Sequence, residues 1–373
     1  MSRLLLCNGD ATDPATWSNI PYFLLQAGIT SGWLQSGISL HPEPLKGRKR
    51  LWNLAQLIRT GKAGGFQYSP LYAQTLFQQA GLQNFKGSLL SHYPFLPPLP
   101  WPSSQRVDFY IDATTRQIFD DYGLGDPISA SFRAEALTRE RLAYQQAGSV
   151  ICMAQWTANS VINDYGIDPA KVHVVPGGAN LDEARLAELA EPASPPLPSE
   201  EAPLRLGFLG KDWPRKGGPF LLTVAEALQR QGIPSRVRAI GVDPARLPHH
   251  PLLEPLGFIN KQTDTPRFVA ELRSWHFGAL FSSAEAAPRS NLECLRLGVP
   301  LIAHAVGGIP STLPDAGCGQ LFPAHPSASE VANWLVDRLT PYQRYLAWRA
   351  ALAPRWREFT WAAAVEQLAV VLN

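Results

Sequence analysis

The sequence predicts an α/β protein of two domains, each built around a parallel sheet. Three observations support this prediction. The chain has 373 residues, which exceeds the roughly 250–300 residues that one hydrophobic core usually serves. Short runs rich in β-forming residues alternate with helical stretches, a pattern that is typical of parallel sheets. One proline-rich segment divides this series into two halves, so each half is expected to carry its own sheet.

The order of the predicted strands gives the domain boundaries. Between the fourth and fifth strands lies Ala190–Leu204, whose prolines, small residues and acids are typical of an interdomain linker. We therefore predict a first domain over residues 1–190, a linker over 191–204 and a second domain over 205–354. The eight predicted strands are Arg3–Cys7, Val107–Ile111, Ser149–Gln155, Lys171–Val175, Arg205–Leu209, Ser235–Ile240, Phe277–Ser282 and Pro300–Ala305.

Composition excludes several classes of protein. Hydrophobic residues make up 45% of the chain and charged residues 17%, which is too apolar for a disordered protein. The net charge of +2 does not indicate a nucleic-acid partner. The four cysteines are far apart in the sequence and show no zinc-ligand spacing. Reduced thiols and a cytoplasmic location are the expectation.

The sequence also bears on contact with membranes. The apolar run in Met1–Cys7 is shorter than the roughly 7–15 residues of a signal peptide. No run reaches the roughly 18 apolar residues that predict a spanning helix, and the regions rich in tryptophan are interrupted by proline and glycine. A peripheral contact with a membrane stays open, and the oligomeric state is not indicated.

Common nucleotide-binding signatures are absent from the sequence. It has no G-x-x-x-x-G-K-[ST], no G-x-G-x-x-G after a predicted strand and no D-x-D. The first two absences disfavour P-loop and NAD chemistry. The third removes the pattern that would indicate carboxylates holding a metal on a diphosphate. We expect no bound metal and no cofactor, so a bound diphosphate would have to be neutralised by cationic side chains and helix N-termini.

One segment whose residues suit the binding of a ligand is Leu206–Leu222, LGFLGKDWPRKGGPFLL. It predicts a strand that ends at Gly210, a tight loop, and a helix that opens after Lys216 and Gly217. Glycine allows backbone N–H groups to approach a ligand, the helix N-terminus attracts anions, and Lys216 with Arg215 adds full positive charges. The segment predicts an anion site, and a solvated basic turn is the alternative.

The second such segment is Phe281–Pro310, in which Glu285 and Glu293 stand eight residues apart. Glu285 follows a predicted strand, and Glu293 falls in the first turn of a helix expected to start near Asn291. Ser290 and Glu293 have the spacing of a capping box, so Glu293 has a structural interpretation as a cap partner. Carboxylates near a diphosphate-binding helix N-terminus also suit recognition of sugar hydroxyls. Both interpretations stay open at this stage.

At this point the sequence resembles the retaining nucleotide-sugar glycosyltransferases of GT-B fold, of the family-four type. Its most specific element is the family's E-x7-E motif, matched by Glu285 and Glu293. Glu293 lies in the stretch NLECLRLGVPLIAHAVGGIP, which begins at Asn291. The resemblance implies two Rossmann-like domains with parallel sheets facing an interdomain cleft. It also implies that Glu285 touches the donor sugar and Glu293 the nucleotide ribose. Diphosphate contacts would come from backbone amides at Ser290, Asn291 and Leu292.

The resemblance assigns further donor contacts in the second domain. The family's KG loop is matched by Lys216 and Gly217, and the second cation that many members carry would be Lys211 or Arg215. The segment Glu254–Lys261 resembles the loop that borders the donor base, with main-chain groups near Phe258.

The amino-terminal half matches the family more loosely. Asp13–Gly28 resembles the loop after the first strand, where Ser18 is followed by Asn19 instead of the family's glycine. That glycine allows close approach of acceptor and diphosphate, which makes Ser18 and Asn19 expected donor-site residues. Gln145–Asp182 resembles the segment that leads into the crossover between domains. The last residues, about 355–373, resemble a helix that returns to the first domain.

Two more side chains of the first half are candidates near the reacting carbon. Relatives often place a histidine or an aspartate there, and Asp112 closes the strand that precedes it while His92 precedes a proline-rich loop. A helix cap or turn former is the alternative for Asp112.

The predicted activity is transfer of a hexose, with retention and without an obligatory metal, from a UDP- or GDP-type nucleotide sugar to an acceptor hydroxyl. The acceptor would be a saccharide, a lipid or another small molecule. Two alternatives remain. One is a nucleotide-sugar sensor without turnover, suggested by Asn19 and the loosely matched first half. The other is an epimerase or phosphorylase of the same fold.

Overall fold

A computed structural model describes residues 3–82, 85–101, 105–189 and 194–372. These residues form two compact units. The first runs up to Pro176 and is completed by the residues from Ala364 on, and the second is Gly177–Ala363. The sequence predicts the change of domain later in the chain, at the linker 191–204, and the return at about residue 355.

The difference at the linker has a physical reason. Residues 190–193 lie outside the described residues, but the prolines that follow them are hydrogen-bonded within the second unit. The hydroxyl of Tyr342 donates to the carbonyl of Pro195 at 2.6 Å, and Nε2 of His276 lies 3.0 Å from the carbonyl of Pro196. This part of the predicted linker is therefore held in place before the first strand of the second unit begins.

The first unit contains a six-stranded parallel sheet in the order β2-β1-β3-β4-β5-β6. Its central strands are almost wholly buried, as expected for a parallel sheet covered by helices on both faces. The strands are β1 Arg3–Leu6, β2 Ser36–Gly37, β3 Gly87–Ser91, β4 Gln105–Ile111, β5 Val150–Cys152 and β6 Val172–Val174. The helices are α1 Ile20–Thr30, α2 Lys46–Thr60, α3 Pro70–Gln79, α4 Thr115–Asp120, α5 Ala130–Gln146 and α6 Gln155–Asn163.

The second unit repeats this plan with a parallel sheet in the order β12-β11-β10-β7-β8-β9. The strands are β7 Leu204–Leu209, β8 Ser235–Ile240, β9 Leu253–Gly257, β10 Phe277–Leu280, β11 Leu301–His304 and β12 Gly319–Phe322. The helices are α7 Glu183–Ala187, α8 Gly218–Arg230, α9 Thr265–Arg273, α10 Arg289–Arg296, α11 Ala328–Leu339 and α12 Tyr342–Leu352. A last helix, α13 Trp361–Leu372, begins in this unit. Two parallel sheets with surrounding helices confirm the predicted α/β class.

The last helix, α13, belongs to the first unit from Ala364 on. Ala364, Val365 and Leu368 are buried. The guanidinium of Arg3 in β1 donates a buried hydrogen bond to the carbonyl of Leu372 at 3.2 Å. The two ends of the chain therefore meet within one unit.

Two features of the sequence can be compared directly with the fold. All four cysteines are free and buried. Within the described ranges, no helix combines the length and the apolar character that crossing a bilayer requires.

Candidate active site

The loop after β7 is the first element of the site. It carries Lys211–Gly217 from the end of the strand to the start of α8. Gly217 is the N-cap of α8 and has φ +78°, and a Cβ there would lie 2.2 Å from the carbonyl oxygen of Phe281. Only glycine fits this turn without displacing the backbone of the neighbouring loop. The requirement explains why glycine follows Lys216 in this loop.

The loop after β10 is the second element, and it is joined directly to the first. β7 and β10 are neighbours in the sheet, so their carboxyl ends lie at one edge. The N–H of Ser283 donates to the carbonyl of Arg215 at 2.9 Å, and Oγ of Ser282 donates to the same oxygen at 3.0 Å. These bonds hold the two loops together at the edge where open α/β sheets bind ligands.

Glu285 is the point where the predicted charged residues meet. Its Oε1 lies 3.0 Å from Nζ of Lys216 and 3.1 Å from Nη1 of Arg215. The carboxylate is largely buried, and Arg215 also donates to the carbonyl of Ala284 at 2.7 Å. Burying a charged carboxylate is costly unless it is paired and hydrogen-bonded. Three of the predicted catalytic residues therefore form one cluster at the start of α8.

Helix α10 begins four residues after Glu285, at Arg289, with Pro288 as its N-cap. Ser290, Asn291 and Leu292 thus lie near its start, where the N–H groups of the first three helical residues have no partner within the helix. The side chain of Asn291 is buried and donates to Oγ1 of Thr312 at 2.9 Å. This bond anchors the start of the helix, whose N–H groups and dipole suit an anion.

The predicted capping box is wrong. The helix starts two residues earlier than Asn291, no side chain caps it, and Ser290 lies inside its first turn. Oγ of Ser290 is buried without a hydrogen-bond partner. Glu293 instead forms an ion pair with Lys261 and is almost fully buried. The interpretation of Glu293 as a cap partner is therefore excluded.

The pair of Glu293 with Lys261 brings two predicted donor elements together. Lys261 ends the segment Glu254–Lys261 that the resemblance places beside the donor base. Phe258 in this segment exposes 67% of its surface, and Nζ of Lys211 lies 5.9 Å from the centre of its ring. A cation next to an exposed aromatic ring is a cation–π arrangement.

The first unit gathers its candidates at the carboxyl edge of β1, β3 and β4, which are adjacent strands. His92 follows β3, is buried, and has Nδ1 2.6 Å from the carbonyl oxygen of Tyr110. Asp112 follows β4 and is half-buried, and its carbonyl accepts from the hydroxyl of Thr157. The ring of Trp17 meets His92 edge-to-face with 6.4 Å between ring centres.

Three consecutive residues before α1 have a left-handed backbone. Trp17, Ser18 and Asn19 have φ of 43°, 56° and 68°. For residues other than glycine this conformation costs roughly 1–2 kcal/mol each, and asparagine tolerates it best. The geometry explains why Asn19 can stand where the resemblance expects glycine. Strain of this kind concentrates at ligand sites.

A pocket of about 440 Å³ lies beside this strained loop. Trp17 lines it, together with the carboxylates of Asp10, Asp13 and Glu43. Burial raises the pKa of Asp10, but hydrogen bonds from Thr12 and Ser39 outweigh it and hold the pKa below its usual value. The pocket is therefore rich in acidic side chains.

Sequence reasoning missed the pocket next to Arg215. It has a volume of about 390 Å³ and is lined by Ser282, His304 and His325 among others. Burial lowers the pKa of His304, and its Nε2 has no hydrogen-bond partner. The available signal was the position of His304 at the end of a predicted strand. In the described ranges, no group of His, Cys, Asp and Glu side chains is arranged to hold a metal ion.

Comparison with known proteins places these features in context. No protein-family model matches the chain. A curated D-inositol 3-phosphate glycosyltransferase of Actinosynnema mirum is 27% identical over 288 residues, covering 72% of this chain and 64% of the relative. The protein of the same name from Corynebacterium aurimucosum is 27% identical over 243 residues, covering 59% and 55%. The chain therefore spans between half and two thirds of the length of these relatives.

Solved structures agree in fold. Sucrose-phosphate synthase from Thermosynechococcus elongatus has a TM-score of 0.64 at 16% identity, covering 100% of this chain and 98% of its own. Anabaena HepE in complex with UDP-glucose has a TM-score of 0.61 at 13% identity, covering 100% and 99%. The resemblance predicted from the sequence is confirmed: this chain is similar in sequence to curated glycosyltransferases and has the two-domain architecture of GT-B glycosyltransferases.

Proposed function

We propose that this protein is a retaining glycosyltransferase that moves a hexose from a UDP- or GDP-type nucleotide sugar to an acceptor hydroxyl. The observation that carries the proposal is the convergence of Lys216 and Arg215 on Glu285 at the N-terminus of α8. Helix α10 opens four residues further on. Cations and helix N-termini together suit the diphosphate of a nucleotide sugar, and a carboxylate among them suits the hydroxyls of the sugar.

The proposed reaction breaks the bond between the sugar's anomeric carbon and the diphosphate oxygen. The electron pair of that bond goes to the diphosphate, whose growing negative charge Lys216 and the helix N-termini stabilise. The acceptor oxygen forms the new bond on the same face of the sugar, and its proton goes to the departing phosphate. Asp112 is our candidate in the first unit for orienting a reacting group.

The contacts of Arg215 and Lys211 also support a choice between these two residues as the second cation, which the sequence leaves open. Arg215 already donates to Asp212, Ala284 and Glu285. Lys211 is exposed and lies beside the ring of Phe258. We therefore propose Lys211 as the second cation that meets the diphosphate and Arg215 as a positioning residue for Glu285. Phe258 and the paired Glu293 would border the nucleoside.

The proposal treats metal as dispensable because Lys216 and the helix N-termini can supply the electrostatic stabilisation that a metal gives elsewhere. The test is incubation with radiolabelled UDP-glucose and GDP-mannose, with and without EDTA. We expect transfer or slow donor hydrolysis that survives chelation. Loss of turnover on chelation, restored by Mg²⁺ or Mn²⁺, would contradict the metal-free account. Tight binding without any turnover would indicate a sensor instead.

A further inference from the structure

Helix α2 exposes an unusual amount of apolar surface. Leu51, Leu54, Leu57 and Ile58 expose 72%, 54%, 48% and 77% of their surface. No residue of the helix is fully buried. Single exposed leucines are common on protein surfaces, whereas a contiguous group of large apolar side chains marks an interaction surface. We call Leu51, Leu54 and Ile58 the apolar stripe of α2.

The geometry of the helix places this stripe on its outer side. The three residues are spaced i, i+3 and i+7, which aligns them on one face. Trp52 points to another face and packs against Phe66 and Phe132, with ring centres 5.9 and 5.0 Å apart. Since the tryptophan attaches the helix to the core of the first unit, the stripe is directed away from that core.

The charge of α2 is one-sided. The helix contains five basic residues and no acidic residue. At 100° per residue, Arg50 falls on one side of the stripe, and Arg48 and Arg59 fall on the other. All three are exposed. An apolar face flanked by cations is typical of helices that lie in the interface of a membrane, where arginine reaches outward to the lipid headgroups.

We propose that α2 docks the protein onto a bilayer that contains anionic lipids. The apolar stripe would enter the boundary between headgroups and acyl chains, and the flanking arginines would contact lipid phosphates. Each basic residue near such a surface strengthens binding through the negative surface potential. This inference does not depend on the proposed transferase activity, because it concerns only the surface of the first unit.

The charge also argues against a second copy of this chain as the occupant. In a two-fold symmetric contact through this face, the three arginines that flank the stripe would lie near the same arginines of the partner copy. Like charges in such a contact repel each other. A bilayer with anionic headgroups supplies both the apolar medium and the opposite charge.

The test is flotation of the purified 373-residue protein with vesicles. One set contains phosphatidylcholine alone, and the other contains equal amounts of phosphatidylcholine and phosphatidylglycerol. We expect binding to the mixed vesicles, little binding to phosphatidylcholine alone, and weaker binding at high salt because salt screens the headgroup charge.

Variants separate the two contributions. Leu54→Gln with Ile58→Gln should weaken binding by at least roughly tenfold, since two apolar side chains no longer enter the lipid. Arg48→Gln with Arg50→Gln should weaken it by about fivefold for each charge removed. The matched control is Leu124→Gln, because Leu124 is 60% exposed in the same unit but lies outside α2. This control should bind as the parent does.

Three results would overturn the proposal. The first is an absence of binding to the mixed vesicles. The second is unchanged binding of the Leu54→Gln, Ile58→Gln variant while its circular dichroism matches that of the parent. The third is a dimer in analytical ultracentrifugation that this variant abolishes, since it would identify a second copy as the occupant.

Discussion

Oε1 of Glu285 lies 3.0 Å from Nζ of Lys216, so the carboxylate neutralises the lysine that the proposed reaction needs for the diphosphate. The same oxygen also meets Arg215. Glu285 therefore has two effects that act in opposite directions. It holds both cations in place, and it reduces the positive potential that a bound anion would experience.

Glu285→Gln separates these effects. The amide keeps the shape but loses the charge, so we expect UDP or GDP to bind at least as tightly as in the parent. Transfer should slow by an amount on the order of 1–3 kcal/mol in kcat/KM, because a charge-assisted hydrogen bond to the sugar is lost. Isothermal titration calorimetry and initial rates measure the two quantities. Normal transfer by this variant would remove Glu285 from the site.

Lys216→Ala should lower kcat/KM for transfer by roughly 2–4 kcal/mol, since a preorganised cation next to a leaving anion is lost. The affinity for UDP or GDP should fall as well. Lys86→Ala is the control, because Lys86 is an exposed lysine of the first unit and lies outside the proposed site. If both variants retain the parent's kcat/KM, Lys216 is an ordinary surface lysine.

Lys211→Ala and Arg215→Ala test which residue is the second cation. We expect the larger loss of nucleotide affinity from Lys211→Ala, because the Arg215 guanidinium is already bonded to Ala284 and Glu285. Arg215→Ala should instead lower the free energy of unfolding, since it removes the guanidinium's bonds to Ala284 and Glu285. The bonds from Ser282 and Ser283 to the main-chain carbonyl of residue 215 remain. The opposite pattern would return Arg215 to the role of diphosphate ligand.

Ser290→Ala gives a direct check of the corrected capping assignment. A lost cap costs about 0.5–2 kcal/mol of stability. Because Oγ of Ser290 has no hydrogen-bond partner, we expect no loss in the free energy of unfolding. Glu293→Ala should destabilise the protein, since it leaves Lys261 without its partner, and should also weaken nucleotide binding. Urea titrations of both variants would distinguish these effects, and a destabilised Ser290→Ala would restore the cap.

Because His276 is buried, we expect the free energy of unfolding to fall in acid. Burial lowers its pKa to about 4, and its Nδ1 accepts from the N–H of Arg205 at 3.0 Å. The unfolded chain takes up a proton near pH 6.5 while the folded chain does not, so folding weakens as pH falls from 6.5 towards 4. Between pH 6.5 and 5 the loss is about 1.6 kcal/mol. The measurement is urea unfolding at both pH values, with His276→Gln as the variant that should lack this part of the pH dependence.

The acidic pocket of the first unit leads to a prediction about the acceptor. Asp10, Asp13 and Glu43 would repel a phosphate group. If this pocket holds the acceptor, an uncharged saccharide should be a better acceptor than the same saccharide carrying a phosphate group. Rates of transfer to each, at equal concentration, decide the matter. Faster transfer to the phosphorylated compound would show that the acceptor binds elsewhere.

The main features of the fold could be predicted from the sequence because hydrophobic runs and turn residues alternate clearly. All eight predicted strands are present, with ends that differ by at most three residues. Four strands of the described residues were missed: β2, β3, β9 and β12. β2 has two residues, β9 contains Pro255, and β3 and β12 each begin with a glycine. Pairing with a neighbouring strand defines such elements, and a single sequence does not reveal that pairing.

The site was predictable to a similar degree. Lys216, Glu285 and Glu293 could be predicted as site residues because each follows a predicted strand or lies at the start of a predicted helix. The start of α10 was wrong by two residues because the S-x-x-E pattern resembles a capping box, whereas Pro288 defines the N-cap. The partner of Glu293 is Lys261, 32 residues away in sequence, and no local pattern indicates such a pair.

The hydrogen bond from Arg3 to the carbonyl of Leu372 has a practical consequence for dissecting this protein. A fragment cut after Pro176 would retain β1–β6 but would lack the residues from Ala364 on that complete the first unit. Val365 and Leu368 are buried in the intact protein, so the apolar surface that they cover would be exposed to water on that fragment. In a circular permutant, the segment from Ala364 on would come first and a short glycine linker would connect it to Arg3. Both segments of the first unit would then lie on one contiguous polypeptide.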